Sequence, residues 1–213
     1  MDYKNELILS LKRENALLRK LAREDAEVRV EIAKEFSEGK QGDCVSSMVG
    51  QIFVYPFKDG NDYEIQVADD NGTLVFVDAI FESEFDDKED WSECTNKWED
   101  CTLKKKLEDW WDKNAPDDLK SKYRVTMLAA NQILPDEMLP SDLKGKGGQL
   151  ELFKDWKNRI KRLRGEQRST WYWTISPNPD VAYGVWDIYP SGVLSGDPAN
   201  YSGGVVPACI PIE

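Results

Sequence analysis

The C-terminal segment, Ser169 to Glu213, constrains the fold of this chain more than any other stretch. Between Ser169 and Ile212 there is no Lys, Arg, Glu, Gln or Met, although the preceding residues are dense in Lys and Glu. The segment is instead rich in Gly, Pro, Ser, Asp, Tyr and Trp. Small polar residues, Gly and Pro favour turns, and aromatic residues favour strands. This composition predicts a compact, turn-rich β lobe whose loops present small polar and aromatic groups.

Strands and turns can be placed along this segment. Trp171, Trp173 and Ile175 alternate as the buried face of a strand does, and 182–189 alternates again. Pro-rich turns follow each of these strands. We expect 193–204 to be a loop and 205–210 to form a closing strand.

Charge and residue types limit the classes of function. The chain has 213 residues and a formal net charge of −12, which disfavours nucleic-acid and anionic-membrane partners because both would be repelled. It contains no His, which removes the commonest general base and zinc ligand. No segment has the length and apolarity of a membrane span, so we expect no membrane insertion. We also see no signal peptide and expect synthesis in the cytoplasm, with virion and surface display both open as final locations.

The cysteines give no sign of a metal site. Cys44, Cys94, Cys101 and Cys209 form no C-x-x-C pair, so a zinc knuckle is not predicted. Spacing alone would allow Cys94 to pair with Cys101. Buried free thiols are the simpler interpretation.

The first 40 residues predict a helix over 4–38. Leu7, Leu11, Leu18, Leu21, Val28 and Ile32 recur at helical spacing, although Glu14 and Asp25 interrupt the stripe. Two interpretations stay open: a helix packed on its own domain, or an oligomerisation helix in a dimeric or trimeric coiled coil. Gly39 and Gly42 mark a linker to the next domain, over 45–213.

The middle of the chain predicts a meander of strands and two packed helices, and so an α+β fold. The strands are 49–57, 63–68 and 73–81, joined by turns at 59–62 and 69–72. The acidic cluster at 69–71 is interpreted as a turn rather than a calcium loop, because no Glu follows at calcium-loop spacing. The acidic, aromatic stretch 81–98 predicts a surface loop.

Apolar residues at helical spacing define the two helices. One begins at Thr102 as N-cap and buries Leu103, Leu107, Trp110 and Trp111, the Trp pair serving as core rather than as a carbohydrate platform. The other lies between Leu150 and Leu163 and ends in a basic turn. This second helix would carry Leu150, Phe153, Trp156, Ile160 and Leu163 on its apolar face.

Four short motifs of the tail resemble a known fold. They are W-x-W-T-x-S-P from Trp171, A-Y-x-V from Ala182, P-S-G from Pro190, and G-V-x-P-A from Gly204. Together they resemble the C-terminal part of C-type lectin-fold domains, shared by the formylglycine-generating enzyme and by variable proteins of diversity-generating retroelements. The stretch from Trp98 to Trp110 is similar to W-x-x-C-T-L-[RK]-x-x-L in an uncharacterised bacterial and phage domain family. The resemblance covers about 45–213 and implies a C-type lectin-like fold.

Two positions depart from these families. Val206 stands where the family block usually has Arg. Cys209 is the one Cys in the tail, whereas the formylglycine-generating enzymes carry catalytic Cys residues in this part, so that oxidase activity is not supported.

The retroelement resemblance implies an origin for the composition of the tail. Template adenines are randomised in these systems, and an Asn codon then cannot become Lys, Glu, Gln, Met or Trp. The first four are missing from the tail, and its Trp residues would be fixed scaffold together with Ala182, Gly192, Val205 and Pro207. A turn-rich β lobe that avoids long charged side chains for steric reasons is the alternative explanation. The positions expected to be diversified and to face a ligand are Asp180, Val181, Tyr183, Gly184, Asp187, Tyr189, Val193, Ser195, Gly196, Asp197, Tyr201 and Gly203.

The function expected from this reasoning is ligand binding without catalysis or cofactor; no metal site is assigned, and calcium dependence stays open. A hypervariable C-terminal surface (169–213) would recognise a protein or glycan, as in a phage receptor-binding protein, with homo-oligomerisation adding avidity. Two alternatives stay open. One is an enzyme using Cys209 or the carboxylates of Asp86, Asp87, Glu89 and Asp90. The other is a structural or regulatory protein of a phage or mobile element that works through its N-terminal helix.

Overall fold

The computed structural model describes residues Ser47–Ile212. The helix predicted over 4–38, its role in oligomerisation and Cys44 lie outside these residues. Most described residues, Ser47–Ile52 and 56–212, belong to one compact unit, and Phe53–Tyr55 are grouped outside it. Strand β1 (Ile52–Pro56) includes these three residues, and the remaining elements belong to the compact unit.

The first sheet of the compact unit is antiparallel. Its strand order is β2 (Asp62–Val67), β3 (Leu74–Phe76), β12 (Ala208–Pro211) and β5 (Tyr123–Thr126). The turn between β2 and β3 is confirmed, because the Asp69 carboxylate accepts hydrogen bonds from the backbone N–H groups of Asn71 and Thr73. The last strand of the chain thus lies in the interior of this sheet and ties the tail to the strands that precede it.

The second sheet carries most of the tail. Its order is β10 (Leu194–Pro198), β9 (Gly184–Ile188), β8 (Tyr172–Pro177), β11 (Ser202–Val205) and β4 (Phe81–Glu84). All neighbours are antiparallel except β8 and β11, which meet in parallel at Gly204 and Tyr172. A two-stranded ribbon of β6 (Lys161–Arg162) and β7 (Ser169–Thr170) completes the strands. The prediction of an α+β protein with mostly antiparallel strands is confirmed.

The loop predicted over 193–204 is wrong, because this stretch forms β10 and β11. Gly196 and Gly203 each lie in a strand beneath an aromatic ring. A Cβ on Gly203 would come within 2.4 Å of the Trp171 ring, and one on Gly196 within 3.1 Å of the Trp186 ring. Glycine in a strand often marks such a close approach. The predicted closing strand over 205–210 is likewise divided, with β11 ending in one sheet and β12 beginning in the other.

One of the two predicted helices is present. Helix α1 (Thr102–Asn114) buries Leu103, Leu107 and Trp111, and the Trp110 ring stacks on Phe57 at 5.5 Å. Its N-cap is Cys101 rather than Thr102, whose hydroxyl oxygen instead accepts a hydrogen bond from the Asp87 backbone N–H. Two single-turn helices follow, α2 (Asp117–Lys120) and α3 (Ala130–Ile133).

The second predicted helix is wrong. Its residues form two 3₁₀ turns, Glu151–Lys154 and Trp156–Arg159, before β6. Asp155 is extended between the turns, and its carboxylate accepts a hydrogen bond from the Lys157 backbone N–H. Asn158 donates its side-chain amide to the Leu152 carbonyl at 2.8 Å. Side chains that bond to the nearby backbone compete with helical hydrogen bonds, so the apolar spacing did not produce a helix.

The acidic stretch 81–98 is only partly a loop. It contains β4 and a 3₁₀ turn at Trp91–Glu93, and the next 3₁₀ turn, Trp98–Asp100, begins at its end. A further 3₁₀ turn lies at Asp136–Met138.

The second sheet has a hydrophobic core on each of its faces. One core contains Tyr172 and Ile188 together with Val75 of the first sheet. The other contains Trp173 and Val185 together with the buried side of α1. Successive residues of β8 and β9 point to opposite faces, and both faces are covered. The middle of the tail is therefore buried, and the turns at the ends of its strands supply its surface.

Candidate functional site

The hairpin of β9 and β10 forms one edge of the second sheet, with β10 as the edge strand. Leu194 lies opposite Ile188, and the pairing continues to Pro198 opposite Gly184. The connecting turn closes through hydrogen bonds from the Gly192 N–H to the Tyr189 carbonyl and from the Tyr189 N–H to the Val193 carbonyl. Gly192 has φ +79°, the left-handed conformation that tight hairpin turns need and glycine adopts without strain.

The structure distributes the twelve predicted ligand-facing residues over two ends and a middle. Tyr189 and Val193 flank the hairpin turn, whereas Asp180, Val181, Tyr183 and Tyr201 lie at the opposite end of the strands. Tyr183 and Tyr189 are six residues apart along β9, which corresponds to about 20 Å in a strand. The predicted residues at the two ends of the strands therefore form two separate groups. Between these ends lie Gly184, Asp187, Ser195, Gly196 and Asp197, with Gly203 on β11.

The hairpin turn carries two exposed large side chains, and a third exposed residue belongs to the chain segment beside it. Tyr189 is 52% exposed and Val193 is 42% exposed. The 3₁₀ turn that begins at Trp156 lies beside them, because a Cβ on Gly192 would come within 3.7 Å of the Trp156 carbonyl oxygen. Trp156 is itself 55% exposed. We name Tyr189, Val193 and Trp156 the turn patch. Sequence reasoning missed Trp156 because helical spacing assigned it to a buried face.

The opposite end is fixed by contacts with the acidic stretch. The Trp91 and Tyr183 rings lie 4.3 Å apart between centroids, at 60°. The Asn96 side-chain amide donates to the carbonyls of Asn178 and Val181, both at 3.2 Å. These bonds hold the loop before β9, and Trp91 and Tyr201 remain about half exposed beside it.

Three of the predicted positions are glycines with little space around them. Gly203 lies beneath Trp171 and Gly196 beneath Trp186. A Cβ on Gly184 would come within 3.0 Å of the Val181 Cβ. Any larger residue at these positions would require the neighbouring side chain to move, which limits the variation that the strands accept.

Asp187 is wholly buried in the middle of the hairpin. It lies opposite Ser195 on β10, and Asp197 is its diagonal neighbour on the same face. The backbone donates no hydrogen bond to the Asp187 carboxyl in the described residues, and its polar neighbour is the Asp197 carboxyl. Burial raises the pKa of Asp187 to about 8, and the negative charge of the Asp197 carboxyl and a hydrogen bond with it add to this rise. Sequence reasoning named both residues, but as surface positions rather than as a buried pair.

The residues of the alternative enzyme hypothesis have other roles here. Cys209 is completely buried in β12, and burial raises the pKa of its thiol, which disfavours the nucleophilic thiolate. Asp86 is also buried and accepts a hydrogen bond from the Thr95 backbone N–H. Asp87 pairs with Lys106 at 3.2 Å, and Asp90 caps the 3₁₀ turn at Trp91. Cys94 and Cys101 are buried free thiols.

Within Ser47–Ile212 no three or more acidic or Cys side chains group as a metal site would require. None of the helices in this part of the chain has the length and apolarity to cross a bilayer. Comparison with models of protein families, with curated proteins and with solved structures gives no match.

Proposed function

We propose that this protein is a ligand-binding protein and that the turn patch is its contact surface. The observation that carries the proposal is the exposure of Tyr189 and Val193 on a tight turn, beside the exposed Trp156. Single exposed apolar residues are ordinary, but a group of them at one turn is typical of a binding surface. Aromatic side chains supply large, rigid contact area at low entropic cost, which is why they dominate many recognition surfaces.

The anchoring of the hairpin supports a binding role. β9 lies between β8 and β10, and both faces of β9 contribute to a core through Ile188 and Val185. The turn at its end is therefore held by a stiff base, so little order has to be gained when a ligand binds.

Charge indicates the ligand class. The net charge is −12, and the tail contributes no Lys or Arg, so an anionic ligand would be repelled. We propose that the ligand is either a neutral glycan or a basic patch on another protein. Oligomerisation through the N-terminal residues would strengthen binding by avidity.

We further propose a C-type lectin-like scaffold whose tail is diversified by a retroelement. The missing Lys, Glu, Gln and Met support this origin, since randomised Asn codons cannot give these residues. The exposed members of the predicted set with large side chains, Tyr189, Val193 and Tyr201, would then hold the diversity that matters for recognition. The DNA around the gene tests this origin. A locus without a reverse transcriptase and without a near-copy of the tail that carries Asn codons at the predicted positions would contradict it.

The binding proposal is tested with the labelled full-length chain on an array of neutral glycans and on a panel of basic proteins at physiological salt. We expect retention on at least one probe. The double variant Tyr189→Ala/Val193→Ala should lose about tenfold or more in affinity, as truncation of a binding hot spot does. Ile212→Ala is the matched control, because Ile212 is 54% exposed and lies on another strand end. Equal retention of the wild type and the double variant would contradict the turn patch as the contact surface.

A further inference from the structure

We propose that this protein associates head to tail, with a basic surface of one copy docked on an acidic surface of a second copy. The net charge is −12, yet the charges are separated along the sequence. Residues 154–168 contain seven Lys or Arg and two Asp or Glu, whereas residues 82–100 contain nine Asp or Glu and two Lys. Two blocks of opposite charge on one chain make a second copy a complementary partner.

The basic block presents positive charge at the surface. Lys157, Arg162 and Arg168 are exposed, and within Ser47–Ile212 none of the three forms an ion pair. The ribbon of β6 and β7 places Arg162 opposite Ser169, so Arg168 lies close to Arg162. We name Lys157, Arg162 and Arg168 the basic end.

The buried cations of this block are not neutralised by the described chain either. Arg159 is 7% exposed and donates to the Phe153 carbonyl at 3.0 Å and to the Met138 sulfur at 3.3 Å. Lys161 donates to the Phe76 carbonyl at 3.1 Å. These acceptors are uncharged, whereas buried charges are normally paired with an opposite charge. The region therefore keeps a positive potential that an acidic partner surface would stabilise.

The acidic block presents carboxylates around an exposed aromatic ring. Glu89 and Glu93 are exposed and form no ion pair with the rest of the described chain, and Trp91 between them is 51% exposed. Other carboxylates of the block are occupied, since Asp87 pairs with Lys106 at 3.2 Å. An indole ring offers both contact area and an attractive face for a Lys or Arg cation. We name Glu89, Trp91 and Glu93 the acidic end.

The two charged ends lie at opposite ends of β9. The Trp91 ring lies 4.3 Å from the Tyr183 ring, just before β9. A Cβ on Gly192, in the turn after β9, would lie 3.4 Å from the Arg159 Cβ. A strand of this length separates its ends by about 20 Å, roughly twice the distance over which 0.1 M salt screens charges. The two ends therefore do not neutralise each other within one copy, and their contact between copies is heterologous, which produces a chain or a ring of subunits.

Sedimentation velocity of the full-length chain at increasing protein concentration provides the first test. In 100 mM NaCl the average sedimentation coefficient should rise with concentration. The association should weaken about tenfold in 500 mM NaCl, because salt screens the attraction between the two ends. Association through apolar surface against a net charge of −12 would instead strengthen with salt. That result, or no association of the wild type in 100 mM NaCl, overturns the proposal.

Charge reversal tests which surfaces meet. Lys157→Glu/Arg162→Glu reverses the basic end, and Glu89→Lys/Glu93→Lys reverses the acidic end. Each double variant should lose about tenfold or more in self-association, because like charges then face each other. An equimolar mixture of the two should form a one-to-one complex, since one keeps the acidic end and the other keeps the basic end. A chain with all four changes should associate as the wild type does.

Lys113→Glu and Asp118→Lys are the matched controls, because both positions are exposed and lie outside the two ends. They should keep the wild-type association, and circular dichroism should show the same melting temperature for every variant. Equal association of the wild type and both end variants would overturn the proposal, as association through the N-terminal residues would give. Loss in both variants without recovery in their mixture would also overturn it. The turn patch is unaltered in all of these variants, so this test leaves the binding proposal separate.

Discussion

Two buried ionisable side chains, Lys161 and Asp187, lie in different surroundings. Lys161 is 2% exposed, donates to the Phe76 carbonyl at 3.1 Å, and has the Phe153 ring 5.7 Å from its Nζ. Asp187 is equally buried, and the polar group beside it is the carboxyl of Asp197. The buried amine therefore has a backbone acceptor, whereas the buried carboxyl faces a second carboxyl and is protonated at neutral pH.

The two groups are expected to respond to pH in opposite directions. Burial lowers the pKa of Lys161 to about 8, against an ordinary value of 10.5. Burial and the Asp197 charge raise the pKa of Asp187 to about 8, against an ordinary value of 3.8. The lysine therefore favours the folded state at high pH, and the carboxyl favours it at low pH.

The largest expected effect is that of Asp187→Asn in metal-free buffer with EDTA. The folded wild type holds a proton on Asp187 that the unfolded chain has already lost, so its stability falls as pH rises from about 4 to about 8. The full loss is on the order of 5 kcal/mol, from about four pKa units at 1.4 kcal/mol each. The Asn variant lacks this slope and should exceed the wild type in stability above pH 8. Urea unfolding at pH 5 and pH 8.5 measures the difference.

Asp180→Asn provides the control for this comparison, because its carboxyl is exposed and should leave the wild-type slope unchanged. Parallel pH profiles for the wild type and Asp187→Asn would show that the Asp187 carboxyl is solvated. The comparison with Lys161 would then fail.

A smaller effect of opposite sign is expected from Lys161→Met. The unfolded chain keeps the lysine proton up to about pH 10.5, whereas the folded protein loses it near pH 8, so wild-type stability should rise across that interval. The gain is on the order of 3 kcal/mol. Met fills a similar volume without the charge and should remove the rise. Chemical denaturation between pH 7.5 and pH 10.5 provides the measurement, with the exposed Lys157→Met as the control. If the stability of Lys161→Met rises by the same amount over this pH range, the rise comes from other titrating groups.

The sequence predicts the strand β9 of this hairpin but not the burial of its two faces. Alternation over 182–189 correctly predicts the strand that carries Asp187, because side chains on a strand change face at every residue. It does not predict that both faces are covered. That depends on α1 and the first sheet, which pack on opposite sides of β9 from distant parts of the chain. Asp187 and Asp197 stand ten residues apart, and only the register of the hairpin reveals them as neighbours.

The sequence did not predict that the Lys161 side chain is buried. The spacing of Leu150, Phe153 and Trp156 predicted a helix that would end in basic surface residues, Lys161 among them. Hydrogen bonds from Asn158 and to Asp155 replace the helix with two 3₁₀ turns. The chain then enters β6 with the Lys161 side chain pointing inwards. Local apolar periodicity was outweighed here by polar side chains that bond to their own backbone.

The smallest expected effect concerns Tyr172→Phe and tests how completely the surroundings of Lys161 are satisfied. Tyr172 is 2% exposed, and its hydroxyl donates to the Arg159 carbonyl at 2.9 Å, two residues before the lysine. Phe keeps the ring in the core but removes the donor, so the buried carbonyl loses a partner. We expect a loss of about 1 kcal/mol in the free energy of unfolding, nearly independent of pH between 5 and 8 because Tyr172 stays protonated there. Tyr201→Phe, at a 54% exposed position, controls for removal of a hydroxyl and should change little. If Tyr172→Phe costs no more stability than Tyr201→Phe does, the hydrogen bond to the Arg159 carbonyl is not needed for stability. A loss of stability in Tyr172→Phe but not in Tyr201→Phe would show that this single hydrogen bond near the buried Lys161 contributes to the free energy of unfolding. Lys161 would then differ from Asp187, whose neighbour is a second carboxyl.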